Sequence, residues 1–585
     1  MCGIAGFMRR DGQPPPRSLI EAMTQTLVHR GPDGEGYFFG GNLGLGHRRL
    51  AIIDLETGNQ PLEDRGGLVL IANAEIYNHV ELRQELSGTD FATRSDCEPV
   101  LPLYRLQERG FADRLRGMYA LALYDPDSGE LTLARDPFGI KPLYYCEVSE
   151  GFGFASEPSA LIAAGLVDAS VVAEKRDELL NLQFTTGPET IFRGIRRFLP
   201  GETIVVRQGR VIERRRREAL PPGAPNIFEE QRALSMLDAA LFDSISVHQR
   251  ADVPYGMFLS GGIDSATVLS IMAELNDRPV VAYTVGFMDA ETDERHLASQ
   301  LARKVGAHHV PIDVTVDDFK KRLPEVVAAM DDPAADYACL PTYLLAERAA
   351  RDVKVVLTGE GGDELFGGYG RYRSALRPTW LGGRAMRSRG AFHGLGVLRA
   401  EGAGWRDGLL ASAAVAAQTG RTRLQAAQAL DCEDWLPHDL LAKVDRCLMA
   451  HGVEGRTPFL DPLVANTVFQ FDDRLKVKKR FGKYVLRQWL SARMPEAQPF
   501  SKKRGFTVPV AAWMRAERLK LAPLVAGLPA IQEICQPGRV EGLFTSAGKR
   551  HGQAMWNLLF YALWHQIHVL NVAPDGDIFE VLAAR

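Results

Sequence analysis

Phe258-Leu259-Ser260-Gly261-Gly262-Ile263-Asp264-Ser265 is the run in which a strand-like apolar segment gives way to a helical pattern. Two adjacent glycines let the backbone approach an anion closely, and the N–H groups at the start of the following helix point toward it. The hydroxyls of Ser260 and Ser265 add two more donors. Because a strand precedes these glycines and a helix follows them, the pattern favours a phosphate-binding loop over a flexible turn.

The carboxylate of Asp264 needs its own explanation, since it would repel a phosphate that it touched directly. It fits the loop as a ligand of Mg²⁺, which in turn holds the phosphates. The lysine that the P-loop of kinases and GTPases carries is absent from this run. The sequence therefore predicts a magnesium–phosphate site of a different kind.

Strand and helix patterns alternate around this loop. Strands are predicted over 255–259, 280–285 and 353–357, and a helix over 264–275. Such alternation is typical of a parallel sheet covered by helices on both faces. From about residue 372 onward the pattern is mostly helical, and an apolar, aromatic stretch over 555–569 is predicted to be a core helix.

The first part of the chain has a different pattern, with short β-like runs over 68–72, 119–124 and 131–134 separated by turn signals. Helical stretches are predicted near 17–28 and 96–109. This combination predicts an α+β domain with antiparallel strands over residues 1–207.

A change of composition separates the two patterns. Gln208-Gly209-Arg210 resembles a hairpin tip, four arginines follow at 214–217, and the proline-rich segment 220–225 cannot hold regular structure. We predict a linker over 208–227 and a second domain over 228–585. For the arginines, a solvated edge strand or linker is favoured over a binding site for an anionic partner.

The composition limits the classes of function. A net charge of −4 gives no basic field for nucleic acid, and no apolar run is long enough for a membrane span. The N-terminus lacks the apolar core of a signal peptide. The seven cysteines are scattered and form no Cys-x-x-Cys pair, which disfavours a disulfide framework or a zinc site. We expect a cytoplasmic protein with no nucleic-acid or membrane partner, and leave open whether it forms a homodimer.

Cys2 is a candidate nucleophile. Removal of Met1 would expose a residue that carries both a thiol and a free α-amino group. An α-amino group has a pKa of about 8, so a useful fraction is neutral near pH 7 and can accept the thiol proton. Taken alone, a cysteine at this position is weak support for catalysis, and the neighbouring motifs strengthen it.

These motifs supply the groups that hydrolysis of a glutamine side-chain amide requires. Arg49 can bind the α-carboxylate in a two-pronged fashion, and Glu75 and Asp96 can accept from the α-ammonium group. Asn73 and the backbone N–H of Ala74 can form an oxyanion hole. The motifs are His29-Arg30-Gly31-Pro32-Asp33-Gly34, Gly46-His47-Arg48-Arg49-Leu50, Asn73-Ala74-Glu75-Ile76-Tyr77-Asn78, Ser95-Asp96-Cys97-Glu98 and Arg135-Asp136-Pro137-Phe138-Gly139-Ile140-Lys141-Pro142-Leu143-Tyr144-Tyr145.

From Cys2 to about residue 200, this set of motifs resembles the class II glutamine amidotransferases. The resemblance implies an N-terminal-nucleophile hydrolase fold, an αββα sandwich. The chain departs from the family at one position, since the family's usual Asn-Gly-Glu reads Asn73-Ala74-Glu75 here. The added Cβ would lie where the loop meets the tetrahedral intermediate and would make a positive φ costly. We expect an adjusted oxyanion hole that still works, and leave open whether the glutaminase is weakened.

A second motif extends the resemblance to the rest of the chain. It reads Leu357-Thr358-Gly359-Glu360-Gly361-Gly362-Asp363-Glu364-Leu365-Phe366-Gly367-Gly368-Tyr369. Together with the loop at 260–265, it closely resembles the asparagine synthetase family, whose α/β ATP-pyrophosphatase domain forms acyl-adenylates. The resemblance implies the following roles: Mg²⁺ binding by Asp264 and Asp363; ATP binding by Leu259, Ser260, Gly261, Gly262, Asp264, Ser265, Val285, Thr358 and Gly359; catalysis by Glu360 and Lys483.

Two further segments are given roles by the same resemblance. Lys443-Val444-Asp445-Arg446 and the segment from Glu454 to Asp461 are expected to line the acceptor pocket. The basic loop Lys502–Phe506 is either a cover over ATP or a solvated loop.

The resemblance implies synthesis of asparagine from aspartate, with ATP converted to AMP and pyrophosphate and ammonia supplied by glutamine. One alternative is an enzyme of the same architecture that amidates another carboxylate, such as a sugar, a peptide or an antibiotic precursor. Another is a non-catalytic glutamine sensor, which only Ala74 supports. A tRNA-thiolating enzyme shares the phosphate loop but would lack the glutaminase half.

Overall fold

The computed structural model describes residues 2–287, 294–377, 380, 386–400, 404–417, 420–501 and 508–584. The loop Lys502–Phe506 lies outside these residues. The predicted combination of antiparallel sheets with a separate parallel sheet is confirmed.

Antiparallel strands dominate the first part of the chain. The strands are β1 (Gly3–Arg9), β2 (Gly34–Gly40), β3 (Leu43–Arg49), β4 (Leu62–Glu63), β5 (Val69–Ile76), β6 (Gly117–Asp125), β7 (Glu130–Arg135), β8 (Tyr144–Glu147), β9 (Gly151–Ala155), β10 (Arg196–Arg197), β11 (Glu202–Arg207) and β12 (Arg210–Arg216). Within the described residues they form two six-stranded sheets, ordered β10-β8-β9-β1-β3-β2 and β12-β11-β7-β6-β5-β4.

The two sheets pack face to face, and helices cover their outer faces. The helices are α1 (Arg17–Gln25), α2 (His79–Glu85), α3 (Val100–Gln107), α4 (Pro158–Ala163) and α5 (Ala173–Leu182). Apolar side chains of β1 and β3 meet those of β5, β6 and β7 between the sheets. Helices α1, α4 and α5 pack behind the first sheet, and α2 and α3 behind the second. This confirms the αββα sandwich that the resemblance implied.

The segment 208–227, predicted as a linker, begins with a hairpin. Gln208 and Gly209 form its turn, and β12 pairs antiparallel with β11 at the edge of the second sheet. The predicted arginine run therefore starts on an edge strand, where its side chains form ion pairs. Arg214 pairs with Glu202, Arg215 with Asp113 and Arg216 with Glu433. Acidic groups of the chain itself thus pair with three of the four arginines.

A parallel sheet forms the centre of the second part. Its strands are β13 (Tyr255–Phe258), β14 (Val281–Phe287), β15 (His308–Val314), β16 (Val355–Leu357) and β17 (Glu454–Arg456), in the order β15-β14-β13-β16-β17. All neighbouring strands are parallel. The chain order reverses direction between β13 and β16, and ligands of such sheets bind in the crevice at the carboxyl ends of the strands at this point. The phosphate-loop motif follows β13, and the second motif follows β16.

Helices surround this sheet. They are α6 (Glu230–Val247), α7 (Ile263–Leu275), α8 (Arg295–Lys304), α9 (Val316–Ala328), α10 (Cys339–Ala349), α11 (Gly362–Phe366), α12 (Gly370–Ala375), α13 (Asp407–Ala417), α14 (Arg423–Leu430), α15 (Leu441–Met449), α16 (Pro462–Phe469), α17 (Asp473–Lys476), α18 (Tyr484–Arg493), α19 (Val510–Ala516), α20 (Arg518–Gly527), α21 (Pro529–Ile534), α22 (Arg539–Thr545), α23 (Lys549–His568) and α24 (Ile578–Ala583). A π-helix over Asp431–Leu440 leads directly into α15. No helix in the described part of the chain has the length and apolarity that crossing a bilayer requires.

The two parts of the chain share apolar cores. Leu50, Tyr77 and Phe138 of the sandwich lie in one buried cluster with Leu237 and Leu365 of the second part. A continuous apolar interface of this kind fixes the relative position of two domains. The two candidate sites described below are therefore held at a set distance and orientation.

Two candidate active sites

Cys2 lies at the start of β1, in the middle of the first sheet, and is 7% exposed. Its backbone N–H donates a hydrogen bond of 3.0 Å to Oδ1 of Asn73, which stands on β5 of the facing sheet. Asn73 is fully buried, and its Nδ2 has no hydrogen-bond partner among the described residues. An unpaired buried donor costs free energy. This amide is thus a donor beside the thiol that a ligand oxygen could satisfy.

The electrostatic surroundings of the thiol show which predicted residues reach it. Burial raises the pKa of Cys2, the carboxylate of Glu75 raises it further, and the guanidinium of Arg49 lowers it. A thiol with a raised pKa is mostly protonated and needs a base before it can attack. The structure therefore brings Cys2, Glu75 and Arg49 together and leaves a role for the α-amino group as the base.

Arg49 ends β3, and the loop that follows holds its guanidinium. Nη1 donates to Oδ1 of Asn59 at 2.8 Å, and Nη2 donates to the backbone carbonyl of Asp54. These partners are neutral, and among the described residues no carboxylate forms an ion pair with this guanidinium. Neutral partners thus fix its positive charge in place, as a binding site for a carboxylate requires.

The two acidic residues predicted to bind an ammonium group are both buried, but their surroundings differ. Asp96 accepts from the backbone N–H of Ile76 at 2.7 Å, and burial raises its pKa to about 6. Glu75 accepts from Nη2 of Arg456 at 2.8 Å, although burial and the nearby Glu454 raise its pKa well above the usual range. Glu75 is therefore shared with an arginine of the second domain.

Ala74 lies within β5, opposite Tyr119 of β6, and its φ is not positive. Alternation along a strand places its side chain on the face opposite to Asn73 and Glu75. The methyl group packs in the apolar cluster beneath α2 and α3. The expectation that a Cβ here meets the tetrahedral intermediate or strains the backbone is therefore wrong, and the backbone N–H remains as a donor group.

The second site lies where the loops after β13 and β16 meet. The ammonium group of Lys483 lies 2.5 Å from Oδ2 of Asp264 and 2.8 Å from Oδ1 of Asp363. Burial alone would lower the pKa of Lys483, but the two carboxylates raise it overall. Both carboxylates therefore converge on one buried cation, at the crevice where the fold predicts a ligand.

Glycines make this convergence sterically feasible. A Cβ on Gly362 would lie 2.6 Å from Oδ1 of Asp264, and one on Gly359 would lie 3.0 Å from the Cβ of the same residue. A Cβ on Gly368 would lie 1.8 Å from Oδ1 of Asp363. The repeated glycines of the second motif thus allow the two loops to approach each other with both carboxylates between them.

Hydrogen bonds of Ser260 and Ser265 stabilise the candidate phosphate-binding loop. The Ser260 hydroxyl accepts from the backbone N–H of Gly262 at 3.1 Å and lies 3.0 Å from the Ser265 hydroxyl. The adjoining strand residues predicted to contact adenosine are ordered on the sheet: Leu259 follows β13, Val285 lies in β14, and Thr358 and Gly359 follow β16. The loop is therefore shaped in advance for an anion.

Glu360 lies next to a buried lysine. Nζ of Lys443, on α15, is 3.5 Å from Oε1 of Glu360 and 3.1 Å from Oδ2 of Asp336. The Glu360 side chain is 27% exposed, so it faces an opening beside the two loops. This places a partly exposed carboxylate on the loop that follows β16 and leads to Asp363.

Two protein-family models match different parts of the chain. A sequence model of a glutamine amidotransferase domain matches residues 1–216, and one of asparagine synthase matches residues 236–566. The chain belongs to the asparagine synthase family. Members of this family align with almost its whole length.

Three relatives illustrate the range of similarity. The chain is 32% identical to asparagine synthetase [glutamine-hydrolyzing] 1 of Bacillus subtilis, with 97% of each chain covered. It is 33% identical to a putative asparagine synthetase [glutamine-hydrolyzing] of Mycobacterium tuberculosis, again over 97% of each chain. Amidase chyE of Penicillium rubens is 32% identical over 64% of this chain and 60% of that protein.

In this member of the asparagine synthase family, the structure adds two arginines that the sequence did not single out. Arg456 was expected in the acceptor pocket, but its side chain reaches Glu75, while its carbonyl accepts from the N–H of Thr358 at 2.8 Å. Arg30 was noted only as part of a turn-rich motif, and its Nε donates to the carbonyl of Cys2 at 3.2 Å. The available signal was that each arginine stands next to a glycine within a motif already noted.

The residues present fit the predicted Mg²⁺. Among the described residues no group of three or more His, Cys, Asp or Glu side chains is arranged to hold a metal on its own. Asp264 and Asp363 nevertheless face one point that a cation, the Lys483 ammonium, already occupies. Two carboxylates completed by substrate phosphates and water form a typical magnesium site.

Proposed function

We propose that this protein synthesises L-asparagine from L-aspartate, using ammonia released from L-glutamine and energy from ATP. The observation that carries the proposal is the presence of two separate sites in one chain. One has a buried thiol beside an unpaired amide donor, and the other has two carboxylates and a lysine at the crevice of a parallel sheet. The first can cleave an amide, and the second can hold a nucleoside triphosphate.

In the glutaminase site, the α-carboxylate of glutamine would bind Arg49, and its ammonium group would bind Glu75 and Asp96. The α-amino group of Cys2, exposed by removal of Met1, would take the thiol proton as sulfur attacks the side-chain carbonyl. Nδ2 of Asn73 and the N–H of Ala74 would then donate to the oxyanion. As this intermediate collapses, the protonated α-amino group returns its proton to the departing nitrogen, which leaves as ammonia. The resulting thioester is hydrolysed by water to glutamate and the free thiol.

In the second site, the carboxylate of aspartate would attack the α-phosphorus of ATP, giving β-aspartyl-AMP and pyrophosphate. Ser260, Gly261, Gly262 and Ser265 would cradle the phosphates. Asp264 and Asp363 would hold Mg²⁺, which offsets negative charge on the leaving pyrophosphate. The ammonium of Lys483 would stabilise the same charge from within the protein.

Ammonia would then attack the acyl carbon of the adenylate. The tetrahedral intermediate loses a proton and expels AMP, which leaves asparagine. Glu360 is placed to position the ammonia or accept that proton, because its carboxylate borders the crevice. This role rests on the family resemblance together with the position of the side chain.

The alternative is amidation of a different carboxylate. It is supported by a relative of this chain, Amidase chyE, whose name is not that of an asparagine synthetase.

Measuring pyrophosphate release with aspartate and with other carboxylates distinguishes asparagine synthesis from this alternative. With Mg²⁺, ATP and glutamine present, we expect aspartate to give pyrophosphate, AMP and asparagine in equal amounts. Lys483→Met should abolish pyrophosphate release while glutamine hydrolysis continues. If aspartate gave no pyrophosphate and another carboxylate did, the proposed acceptor would be wrong.

A further inference from the structure

The side chain of Gln60 takes the place of a neighbouring strand beside β5. Strand β4, at the edge of the second sheet, begins at Leu62, which pairs with Leu70. The same register, continued by two residues, would place the main chain of Gln60 opposite Ala72. Instead the Gln60 amide binds Ala72: Oε1 accepts from the Ala72 N–H at 2.6 Å, and Nε2 donates to the Ala72 carbonyl at 3.2 Å. These two bonds match those of a hydrogen-bonded pair in an antiparallel sheet.

The main chain at Gln60 has turned away from β5 toward the first sheet. A Cβ on Gly36, in β2, would lie 2.0 Å from the carbonyl oxygen of Gln60. Gln60 is 9% exposed, so its amide is largely withdrawn from water. The side chain thus supplies the hydrogen bonds that the displaced main chain does not reach.

A second side chain holds the same carbonyl. His47, on β3 of the facing sheet, is fully buried, and its Nε2 lies 3.3 Å from the carbonyl oxygen of Ala72. Burial lowers the pKa of His47 to about 3, so the ring is neutral near pH 7. A carbonyl oxygen only accepts, and Nε2 of His47 therefore carries the ring proton. Ala72 is thus held from two directions, immediately before Asn73.

The N–H of Ala74 points to the same edge of β5. Along an antiparallel strand, the main-chain groups of alternate residues point to the same side. Tyr119 stands opposite Ala74 on β6, but its carbonyl accepts from the Asp136 N–H at 2.8 Å and its N–H donates to Oδ2 of Asp136 at 3.3 Å. The N–H of Ala74 therefore points away from β6, to the side that Gln60 occupies.

Side chains bind this edge on both sides of Ala74. Before it, Gln60 holds Ala72, and after it, the N–H of Ile76 donates to Oδ2 of Asp96 at 2.7 Å. The position between these two contacts belongs to the proposed oxyanion donor. A movement at Ala72 would displace this donor, because both lie on one extended strand.

We propose that Gln60 is a positioning residue of the glutaminase site, which fixes Asn73 and the Ala74 N–H in the geometry that the tetrahedral intermediate requires. The inference rests on the proposed function of that site. Gln60 acts through β5: its amide continues the hydrogen-bond pattern as far as Ala72 and leaves the Ala74 N–H to the substrate oxygen. Oxyanion donors act at about 2.7–3.1 Å from the developing charge, so a small shift of β5 weakens binding of the transition state more than binding of glutamine.

The first test uses Gln60→Met in the full-length protein, since methionine has a similar length and cannot form the two hydrogen bonds. We expect kcat for glutamine hydrolysis to fall by about 10²-fold, the cost of a displacement of about 1 Å. KM for glutamine should stay within about 2-fold of the wild type, because the lost interaction is made in the transition state.

A glutamine analogue with an aldehyde in place of the side-chain amide gives the second measurement. The Cys2 sulfur forms a bond to the aldehyde carbon, the thiol proton passes to the α-amino group, and the carbonyl oxygen becomes the oxyanion. Its inhibition constant should rise by about 10-fold or more in Gln60→Met, as for a complex that resembles the transition state. A smaller folded fraction would lower the rate without changing this constant, so the measurement separates positioning from stability.

Gln566→Met is the matched control. Gln566 is 2% exposed, and its Nε2 donates to the carbonyls of Val581 and Ala584 at 3.3 and 2.9 Å, in the second part of the chain. Its kcat and inhibition constant should equal those of the wild type. Gln60→Asn, whose amide is one methylene shorter, is the milder variant if Gln60→Met folds poorly, and the same two changes are expected.

The outcomes separate the role of Gln60 from the proposed function. The proposal is overturned if the Gln60 variants keep the wild-type inhibition constant, whether or not kcat falls, or if Gln566→Met raises it equally. A wild type that neither hydrolyses glutamine nor binds the aldehyde contradicts the glutaminase itself. A wild type that does both, with an unchanged Gln60→Met enzyme, contradicts the role of Gln60 alone.

Discussion

Asn73 has one hydrogen-bonding group in use and one without a partner. Its Oδ1 accepts from the N–H of Cys2, while its Nδ2 is buried and unpaired among the described residues. A protein retains such a group where it serves a ligand or a reaction, because leaving a donor unpaired costs about 1–3 kcal/mol. This asymmetry at a single side chain is the most specific sign of an oxyanion site beside the thiol.

We predict that Asn73→Ala lowers glutaminase kcat by about 10²–10³-fold, the effect of losing one oxyanion donor. Ammonia-driven synthesis should not change, because Asn73 lies in the other domain. Asn78→Ala is the control, since the Asn78 amide also forms hydrogen bonds, to the backbone of Arg114 and Arg116, but does not contact Cys2. The measurement is the rate of glutamate release at saturating glutamine. If the Asn73→Ala enzyme were as fast as the Asn78→Ala enzyme, Asn73 would not be an oxyanion donor.

At the same scale, short motifs were enough to predict candidate residues for the first site. Cys2, Arg49, Asn73 and Asp96 could each be predicted from the chemistry of one reaction. The hydrogen bond from Arg456 to Glu75 could not be predicted, since 381 positions separate the two residues along the chain. No local pattern predicts which distant cation approaches a buried acid, because that depends on how the domains dock.

At the scale of elements, the loops after β13 and β16 were predictable as strand–loop–helix units, and their meeting followed from the parallel sheet. The order of the strands in the sheet could not be predicted, because the alternation of strands and helices along the sequence does not specify which strands pair. Strand β12 was left undecided between an edge strand and a linker for another reason. It alternates between exposed and half-buried residues, and its arginines resemble a solvated linker as closely as an edge strand.

We predict that Gly362→Ala abolishes most of the synthetase activity and leaves glutamine hydrolysis intact. The new Cβ would lie 2.6 Å from Oδ1 of Asp264 and would push apart the two loops that hold the phosphates. A displacement of about 1 Å in an active site can cost about 10²-fold in rate. Gly370→Ala is the control, because the nearest atom to its Cβ would be 3.6 Å away, on Arg373.

The two variants are compared by their rates of asparagine formation with ammonium as the nitrogen donor, a reaction that does not need the glutaminase site. Equal rates for Gly362→Ala and Gly370→Ala would show that close approach of the loops is not required.

At the scale of the whole molecule, the account depends on two sites that act separately but share one rigid frame. Apolar clusters run from the sandwich into the second domain, so the sites do not need to diffuse toward each other. Ammonia released at Cys2 has to stay unprotonated until it reaches the adenylate, and a buried interface is a better route for it than water. The two-domain division, at residues 1–207 and 228–585, was predicted from composition and stays a prediction.

The most direct test of this account uses Cys2→Ala, with Cys146→Ala as a control that removes a buried thiol elsewhere in the same sandwich. Asparagine is measured from aspartate, ATP and Mg²⁺ with either glutamine or ammonium as the nitrogen donor. We predict that Cys2→Ala loses the glutamine-driven reaction and keeps the ammonium-driven one at the wild-type rate, while Cys146→Ala keeps both. Loss of both reactions in a folded Cys2→Ala protein would contradict two separable sites.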